Sequence, residues 1–427
     1  MIVTMVGKHK LAEQQIEEVL HGRSIDEAAR QLEPDFSNLP RSLPVTAKTT
    51  PERVQSLWDR IDAPDGVRQT LLGSTSEAEL AGYAGHIENL IGSIKLPLGV
   101  AGPLRVNGLF AKGDYLIPMA TTEAALVASY HRGVSLMTEA GGCSAMVLFE
   151  SVTRAPSFHF ESLALAGRFV MWALSKVEIF REIVSTTTRH GQLTDVGTTI
   201  EGNHVYLTFE FKTADASGQN MVTISTQAIC DYIIEKSPIT PTKVYVEANL
   251  SGDKKASARA FTTARGKKVS AEVTIPAALV HKRLHCSVDD MCAYWQTSAI
   301  GGVLSGTMGI QGHFANGLAA VYLATGQDAA CVAESAIGVT RFEKNSLGDL
   351  YAAVTLPGIM VGTVGGGTSL PSQSACLQLM GLVGTDKSRA LAEVTTGLIL
   401  GGELSIIGAL AAGHFSRAHK NLARGKN

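Results

Sequence analysis

The chain is short of charge: 18% of its 427 residues are ionised, and 37 Lys and Arg against 39 Asp and Glu leave a net charge of −2. So close a balance provides no overall field for nucleic acid or an anionic membrane, and neither is expected as a partner. Any polyanionic ligand has to be met by a local cluster. Cysteine is sparse and scattered. The six thiols (Cys143, Cys230, Cys286, Cys292, Cys331, Cys376) include no C-x-x-C pair, which argues against a metal site or a disulfide frame and for reduced core thiols in a cytoplasmic protein. Residues 1–10 hold no apolar run of signal-peptide length. The longest apolar tract, 397–413, is rich in glycine and carries Glu403, so it reads as a buried helix rather than a membrane span. Nor is there a strand-linked G-x-G-x-x-G, so a dinucleotide would not be held by the Rossmann device.

What is present supports two or three domains, because 45% hydrophobic residues can build sizeable cores. Leu11, Ile16, Val19 and Leu20 are spaced as on a helix over 8–32, and Thr49-Thr50-Pro51 reads as the capped start of a second. Pro34, Pro40 and Pro44 punctuate the linker between them. From Glu88 the texture becomes apolar and glycine-rich. The stretch 119–129 reads as a threonine-capped helix with Glu123 near its start, either favoured there by the helix dipole or present as a buried acid. Beyond Arg154, helical material over 159–185, strand patterns at 198–200, 204–212 and 243–246, and a helix over 219–235 mark an inserted α+β unit.

Four stretches carry candidate chemistry. The adjacent ammonium groups of Lys254 and Lys255 repel, so away from solvent they need an anionic partner, Asp253 or something bound. The pair is either an ordinary charged loop or an oxyanion clamp. Asp328, set among alanines, either caps a helix or is a buried ionisable group. The turn 362–368, feeding a helix over 373–380, can offer free N–H groups to an anion or simply pack tightly. The basic end, from His414 to Arg424, either closes over an anion or frays.

Six segments, in order, resemble the 3-hydroxy-3-methylglutaryl-CoA reductase family: E-N-L-I-G with L-P-L-G-V-A-G-P-L from Glu88, M-A-T-T-E with L-V-A-S from Met119, D-K-K at 253–255, G-Q-D-A-A at 326–330, G-T-V-G-G-G-T at 362–368, and G-E-L-S with A-L-A-A-G-H and a final His from Gly402. That family reduces an acyl-CoA thioester to mevalonate with two nicotinamide hydrides. The resemblance implies an α+β fold: a helical N-terminal region (1–87), a large α-rich domain around a central helix (88–153 and 259–427, ending in a mobile flap), an inserted ferredoxin-like nucleotide-binding domain (154–246) and a catalytic lysine loop (247–258). It places the catalytic groups on Glu123, Lys254, Asp328 and His419, and CoA contacts on Ser129 and Arg132. Acyl-group contacts fall on Arg154, Asp253, Lys255, His313 and Asn316; cofactor contacts fall on Thr188, Arg189, Asp215, Asn220 and Arg424. It further implies NADPH, with its 2′-phosphate on Arg189, no metal, and a homodimer or dimer of dimers with shared active sites.

In the implied chemistry Lys254 stabilises the oxyanion, His419 protonates the departing thiolate, and Glu123 donates the last proton beside Asp328. The chain departs from the family pattern in three places. Glu247 replaces a serine expected to face the acyl group, residues 295–301 lack a lysine expected around Thr297, and Ser217 and Gln219 stand where methionines are usual. Those departures keep open a paralogous reductase of another acyl-CoA or of a carrier-bound thioester. A non-catalytic CoA- or nucleotide-binding relative would instead have lost catalytic groups. An acylating dehydrogenase would need a cysteine in a polar, activating setting, which none of the six occupies.

Overall fold

The computed structural model describes residues 17, 20, 22–34, 36, 37, 42, 43, 45–73 and 75–413. Of the helix expected over 8–32, most residues before 22 lie outside the described ones, and residues 22–24 are not helical; the basic tail, His419 and Arg424 also lie outside the described residues. Helix α1 (Ile25–Gln31) begins at a capping box formed by Ser24 and Glu27. Helix α2 (Pro51–Trp58) opens on a proline, whose missing N–H is harmless in a first turn, while the Thr50 side chain makes no cap bond. Helices α3 (Val67–Leu72) and α4 (Glu77–Gly82) follow. Val54, Trp58 and Leu80 bury together with Leu90, and Trp58 Nε1 donates to the Ile91 carbonyl at 2.9 Å. This small core crosses residue 88.

The glycine-rich stretch after Glu88 leads into a hairpin of β1 (Leu98–Gly108) and β2 (Lys112–Ala120). Met119 and Ala120 therefore belong to a strand, and the expected threonine-capped helix does not form there. Helix α5 (Leu126–Glu139) begins only after Ala125, which is left-handed at φ 69° and gives no side-chain cap. Pairing of Leu98 with Ala120 overrides local helix preference, and Thr121 Oγ1 accepts the Glu123 N–H at 3.0 Å in the turn between.

Strand β3 (Cys143–Arg154) joins two units. Its first part runs antiparallel to β8 (Gly266–Ile275), and its last three residues pair with β6 (His204–Lys212). Between them lie β4 (Ser157–His159), α6 (Leu163–Leu174), α7 (Val177–Thr187), β5 (Gln192–Glu201), β6, α8 (Gln219–Lys236) and β7 (Lys243–Tyr245). The resulting βααββαβ succession, its first crossover split into α6 and α7, with antiparallel strands in the order β7-β4-β6-β5, is ferredoxin-like. The chain then does not return to helix directly; it enters β8, α9 (Ala277–Leu284), α10 (Val288–Ser305), β9 (Gly309–Ile310), α11 (Phe314–Thr325), α12 (Val332–Ser335), β10 (Gly338–Lys344), β11 (Leu350–Ile359), α13 (Pro371–Leu379) and α14 (Ser388–Ala411). One continuous sheet runs β7-β4-β6-β3-β8-β11-β10-β9.

Helix α14 is the axis of the larger unit and packs on β3, β8, β11, α5, α10 and α11. Nearly every residue from Ser388 to Ala409 is buried. It is long and apolar enough to cross a membrane, yet 83% of its most apolar stretch is buried inside the protein. Glycine lets it sit so deep: a Cβ on Gly133 of α5 would lie 1.7 Å from the Gly401 carbonyl oxygen. Its two interior carboxylates, Glu393 and Glu403, are wholly buried and survive by accepting backbone N–H groups. Glu393 takes those of Phe110 (2.9 Å) and Ala111 (2.7 Å), and Glu403 takes those of Gly312 (2.7 Å) and His313 (2.8 Å).

Candidate active site

The lysine loop runs from β7 towards β8 and turns through three left-handed residues, Asn249 at φ 64°, Gly252 at φ 75° and Lys254 at φ 56°. A lysine held there is strained and needs its surroundings to fix it. Its Nζ lies 2.8 Å from Asp328 Oδ2. Asp328 follows the capping reading of its sequence context and not the buried one: it is exposed, its Oδ1 accepts the Ala330 N–H at 3.0 Å to cap a short 3₁₀ turn, and its other oxygen holds the lysine. The hydrogen bond to Asp328 raises the Lys254 ammonium above its ordinary range, against a smaller opposing effect of burial.

Asp253, the neighbouring carboxylate, does not serve the lysines. It accepts from Arg154 Nη1 at 2.8 Å and from Arg265 Nη2, while Lys255 Nζ donates to its backbone carbonyl at 2.9 Å. Partial burial opposes ionisation of Asp253, but Arg265 and Arg154 outweigh it and hold the carboxyl below the usual range. Arg265 is 4% exposed and also reaches Glu334 Oε2 (2.6 Å), the Thr153 carbonyl (2.7 Å) and Gln219 Oε1 (2.9 Å). Glu334 Oε2 in turn accepts the Lys254 N–H at 3.3 Å. Sequence reading passed over Arg265; its only signal was a lone arginine immediately before an alternating strand. Glu247 also has a local task. Its carboxylate accepts the N–H groups of Asn249 (2.7 Å) and Ala155 (3.2 Å) and lies 3.4 Å from Arg154 Nη1.

A cleft of about 490 Å³ gathers five of the expected residues: Glu123, Ser129, Arg132, His313 and Asn316. Asn316 Nδ2 donates to Glu123 Oε2 at 2.7 Å, so an otherwise exposed carboxylate is aimed. Ser129 and Arg132 meet at Ser405 of α14: the two hydroxyls are 2.9 Å apart, Arg132 Nε donates to Ser405 Oγ at 3.0 Å, and Nη2 donates to its carbonyl at 2.7 Å. His313 Nδ1 lies 3.2 Å from Glu403, while the buried Nε2 has no partner among the described residues. Tyr130 stacks on that ring at 4.9 Å and its hydroxyl donates to the His313 carbonyl at 3.0 Å. Ser405 and Glu403 lie inside the G-E-L-S segment, the clue that could have singled them out.

A second cleft, about 480 Å³, brings Asp328 together with Gln219, Asn220 and the glycine loop Gly365–Gly367. Gly326 and Gly367 touch backbone to backbone, since a Cβ on Gly326 would lie 2.2 Å from the Gly367 carbonyl oxygen. Asp215 locks the rim: its carbonyl accepts the Thr363 N–H at 2.8 Å, and its carboxylate accepts those of Asp386 (2.8 Å) and Ser388 (3.1 Å). Thr188 Oγ1 accepts the N–H groups of His190 (3.2 Å) and Gly191 (3.1 Å), shaping the turn that presents Arg189. Arg189 is exposed.

Among the described residues no His, Cys, Asp and Glu group could hold a metal. All six cysteines are free, and burial pushes the thiols of Cys143 and Cys230 up to about 12 and that of Cys286 to about 11. Thiolate nucleophiles are therefore disfavoured at neutral pH.

A ferredoxin-like unit inserted in a helix-centred α+β domain, with one largely apolar cleft that holds Glu123, Arg132 and His313 and one glycine-lined cleft, defines an α+β protein of two units. The chain belongs to the hydroxymethylglutaryl-coenzyme A reductase family, whose description matches residues 53–424 and so reaches further towards the N-terminus than the segments from Glu88. The 3-hydroxy-3-methylglutaryl-coenzyme A reductase of Pyrococcus horikoshii is 42% identical over 346 residues, 79% of this chain and 84% of that protein. The same-named protein of Methanocaldococcus jannaschii is 42% identical over 344 residues, 79% of this chain and 85% of its own. In fold, the chain is similar to the class II 3-hydroxy-3-methylglutaryl-CoA reductase from Streptococcus pneumoniae bound to NADPH, with a TM-score of 0.63 and 20% identity over 84% of this chain and 86% of that one.

Proposed function

We propose that this chain reduces 3-hydroxy-3-methylglutaryl-CoA to mevalonate and free CoA, consuming two NADPH and two protons. The ion pair of Lys254 and Asp328 at the rim of the second cleft is the observation that carries this reading. Membership of the family and 42% identity to reductases of that name support it. The second cleft suits a dinucleotide: Asn220 and the glycine-loop N–H groups line it, and the exposed Arg189 guanidinium suits a 2′-phosphate. NADPH, when bound, supplies the two hydrides.

The chain's own residues manage charge and protons. Lys254 stabilises the oxyanion formed when the thioester carbonyl becomes tetrahedral, and again the alkoxide formed from the aldehyde. Between those steps the C–S bond breaks, and His419 protonates the CoA thiolate. Glu123, aimed by Asn316, delivers the proton to the final alkoxide. Ser129 and Arg132 hold CoA, and Arg154, Asp253, Lys255, His313 and Asn316 surround the acyl group. Thr188, Arg189, Asp215 and Asn220, within an inserted unit spanning 154–246, serve the cofactor together with Arg424. The flanking segments are the helical 1–87, the large domain of 88–153 and 259–427, and the lysine loop 247–258.

In one chain Glu123 lines the first cleft and Asp328 the second, which supports a homodimer, or a dimer of such dimers, whose subunits complete each other's sites. Exposed Ile300, Val303 and Leu304 on α10 offer apolar surface for such an assembly. A cytoplasmic setting accords with free, buried thiols. The test is Lys254→Ala, followed by NADPH oxidation with the thioester and then with the aldehyde. Both rates should fall by roughly 10² to 10³, the loss typical of one oxyanion donor. Near-normal turnover of either substrate would refute the assignment.

A further inference from the structure

Gln219 stands where the family usually has methionine, and its side chain uses both of its ends. Its Oε1 accepts from Arg265 Nη2 at 2.9 Å, and its Nε2 donates to Cys331 Sγ at 2.7 Å. Each contact leads to one member of the ion pair. On one side, Arg265 grips Asp253 and Glu334, the residues next to Lys254 in sequence and bonded to its N–H. On the other, Cys331 closes the 3₁₀ turn that Asp328 opens and caps. The Gln219 carbonyl also accepts from Arg154 Nη2 at 3.4 Å, so both buried arginines that grip Asp253 of the lysine loop meet this residue.

We propose that Gln219 is a positioning residue: it ties the lysine loop to the aspartate turn and so sets the relative placement of Lys254 and Asp328 for hydride addition. A methionine thioether is a weak acceptor and no donor, so it cannot make either bond well. Arg265 would then keep only Asp253 on Nη2, and Cys331 would lose its donor. A misplacement of about 1 Å at such a centre can cost roughly 10² in rate, whereas binding of CoA in the other cleft involves none of these contacts.

This inference rests on the reductase activity proposed above, so the wild-type protein is assayed first with 3-hydroxy-3-methylglutaryl-CoA and NADPH. Absence of wild-type turnover would count against that activity, not against Gln219 specifically. Given turnover, Gln219→Met should lower kcat by roughly 10- to 100-fold while KM for the acyl-CoA stays within about threefold. The partner variants separate positioning from mere folding. In Cys331→Ser the hydroxyl still accepts from Gln219 Nε2 and kcat is retained; in Cys331→Val the acceptor is gone and kcat falls as in Gln219→Met. Unchanged kcat in Gln219→Met, or equal losses in Cys331→Ser and Cys331→Val, would overturn the proposal.

Discussion

Replacing Asp328 by asparagine isolates the ion pair from the rest of the turn. The amide oxygen can still accept the Ala330 N–H, now made at 3.0 Å, so the cap survives and only the charge facing Lys254 Nζ is lost. Both side chains are substantially exposed, at 42% and 40%, and an exposed pair contributes only about 0–1 kcal/mol to stability. For a chain of this size that corresponds to a change in Tm of about 4 °C at most. The Lys254 pKa is raised in the folded state, so whatever stability the pair adds is fully present below the unfolded lysine pKa and disappears as pH rises through the folded one. At neutral pH the ammonium stays protonated with or without Asp328. What the variant loses there is direction, and loss of orientation at a reacting centre is worth roughly 10² in rate. The expected outcome in an NADPH-oxidation assay is therefore a kcat down by roughly 10² at neutral pH, a nearly unchanged melting curve, and an alkaline limb of the pH profile moved to lower pH. A kcat within about threefold of wild type, or an alkaline limb that does not move, would refute this account of the pair.

Two further outcomes test the cofactor and proton assignments. Arg189→Ala should raise KM for NADPH far more than for NADH, because the exposed guanidinium is assigned to a phosphate that NADH lacks; equal effects in steady-state kinetics with both cofactors would move that contact elsewhere. His419→Gln should cut thioester reduction by roughly 10² to 10⁴ while the aldehyde, which has no thiolate to expel, is reduced normally; parallel losses would give His419 a closing or positioning role instead.

The α+β class, the ferredoxin-like insertion and the buried axis were legible because each rests on long patterns or ordered motifs. The helix 219–235 and strand 204–212 correspond to observed Gln219–Lys236 and His204–Lys212, where neither glycine nor proline interrupts the run. Strands β1, β2 and β8 were not legible. In β1 the glycines and Pro103 mask alternation, and pairing with distant partners, not local preference, makes 98–120 a hairpin. In the site, residue types were readable, and of the pairings only that of Asp328 with Lys254 was expected. The lysine pair was read as needing adjacent Asp253 or something bound, with Asp328 keeping Lys254 charged; the Asp253 carboxylate goes instead to Arg154 on β3 and to Arg265 just before β8. Asp328, far away in sequence, becomes the lysine's partner because one carboxylate can cap a turn with one oxygen and pair with the other.

That rearrangement bears on which acyl group the site prefers. A substrate carboxylate remote from the thioester needs a cation to offset its desolvation. Arg154 is the nearest expected candidate, but its Nη1 is already shared between Asp253 at 2.8 Å and Glu247 at 3.4 Å, and its Nη2 faces the Gln219 carbonyl. Around the loop two arginines, Arg154 and Arg265, meet three carboxylates, Asp253, Glu247 and Glu334, so the buried cluster has no positive charge to spare. Of the expected acyl-group contacts, Lys255 is the ammonium that remains: it is exposed and spends one donor on the Asp253 carbonyl. A single solvated ammonium discriminates less than a desolvated one, so we expect 3-hydroxy-3-methylglutaryl-CoA to be favoured over neutral 3-hydroxy-3-methylbutyryl-CoA by less than roughly 10⁴ in kcat/KM. Lys255→Met should erase most of that preference, and Glu247→Ser, by freeing Arg154, should enlarge it. A wild-type preference of roughly 10⁴ or more, surviving Lys255→Met, would mean that the carboxylate is read by a cation outside this loop.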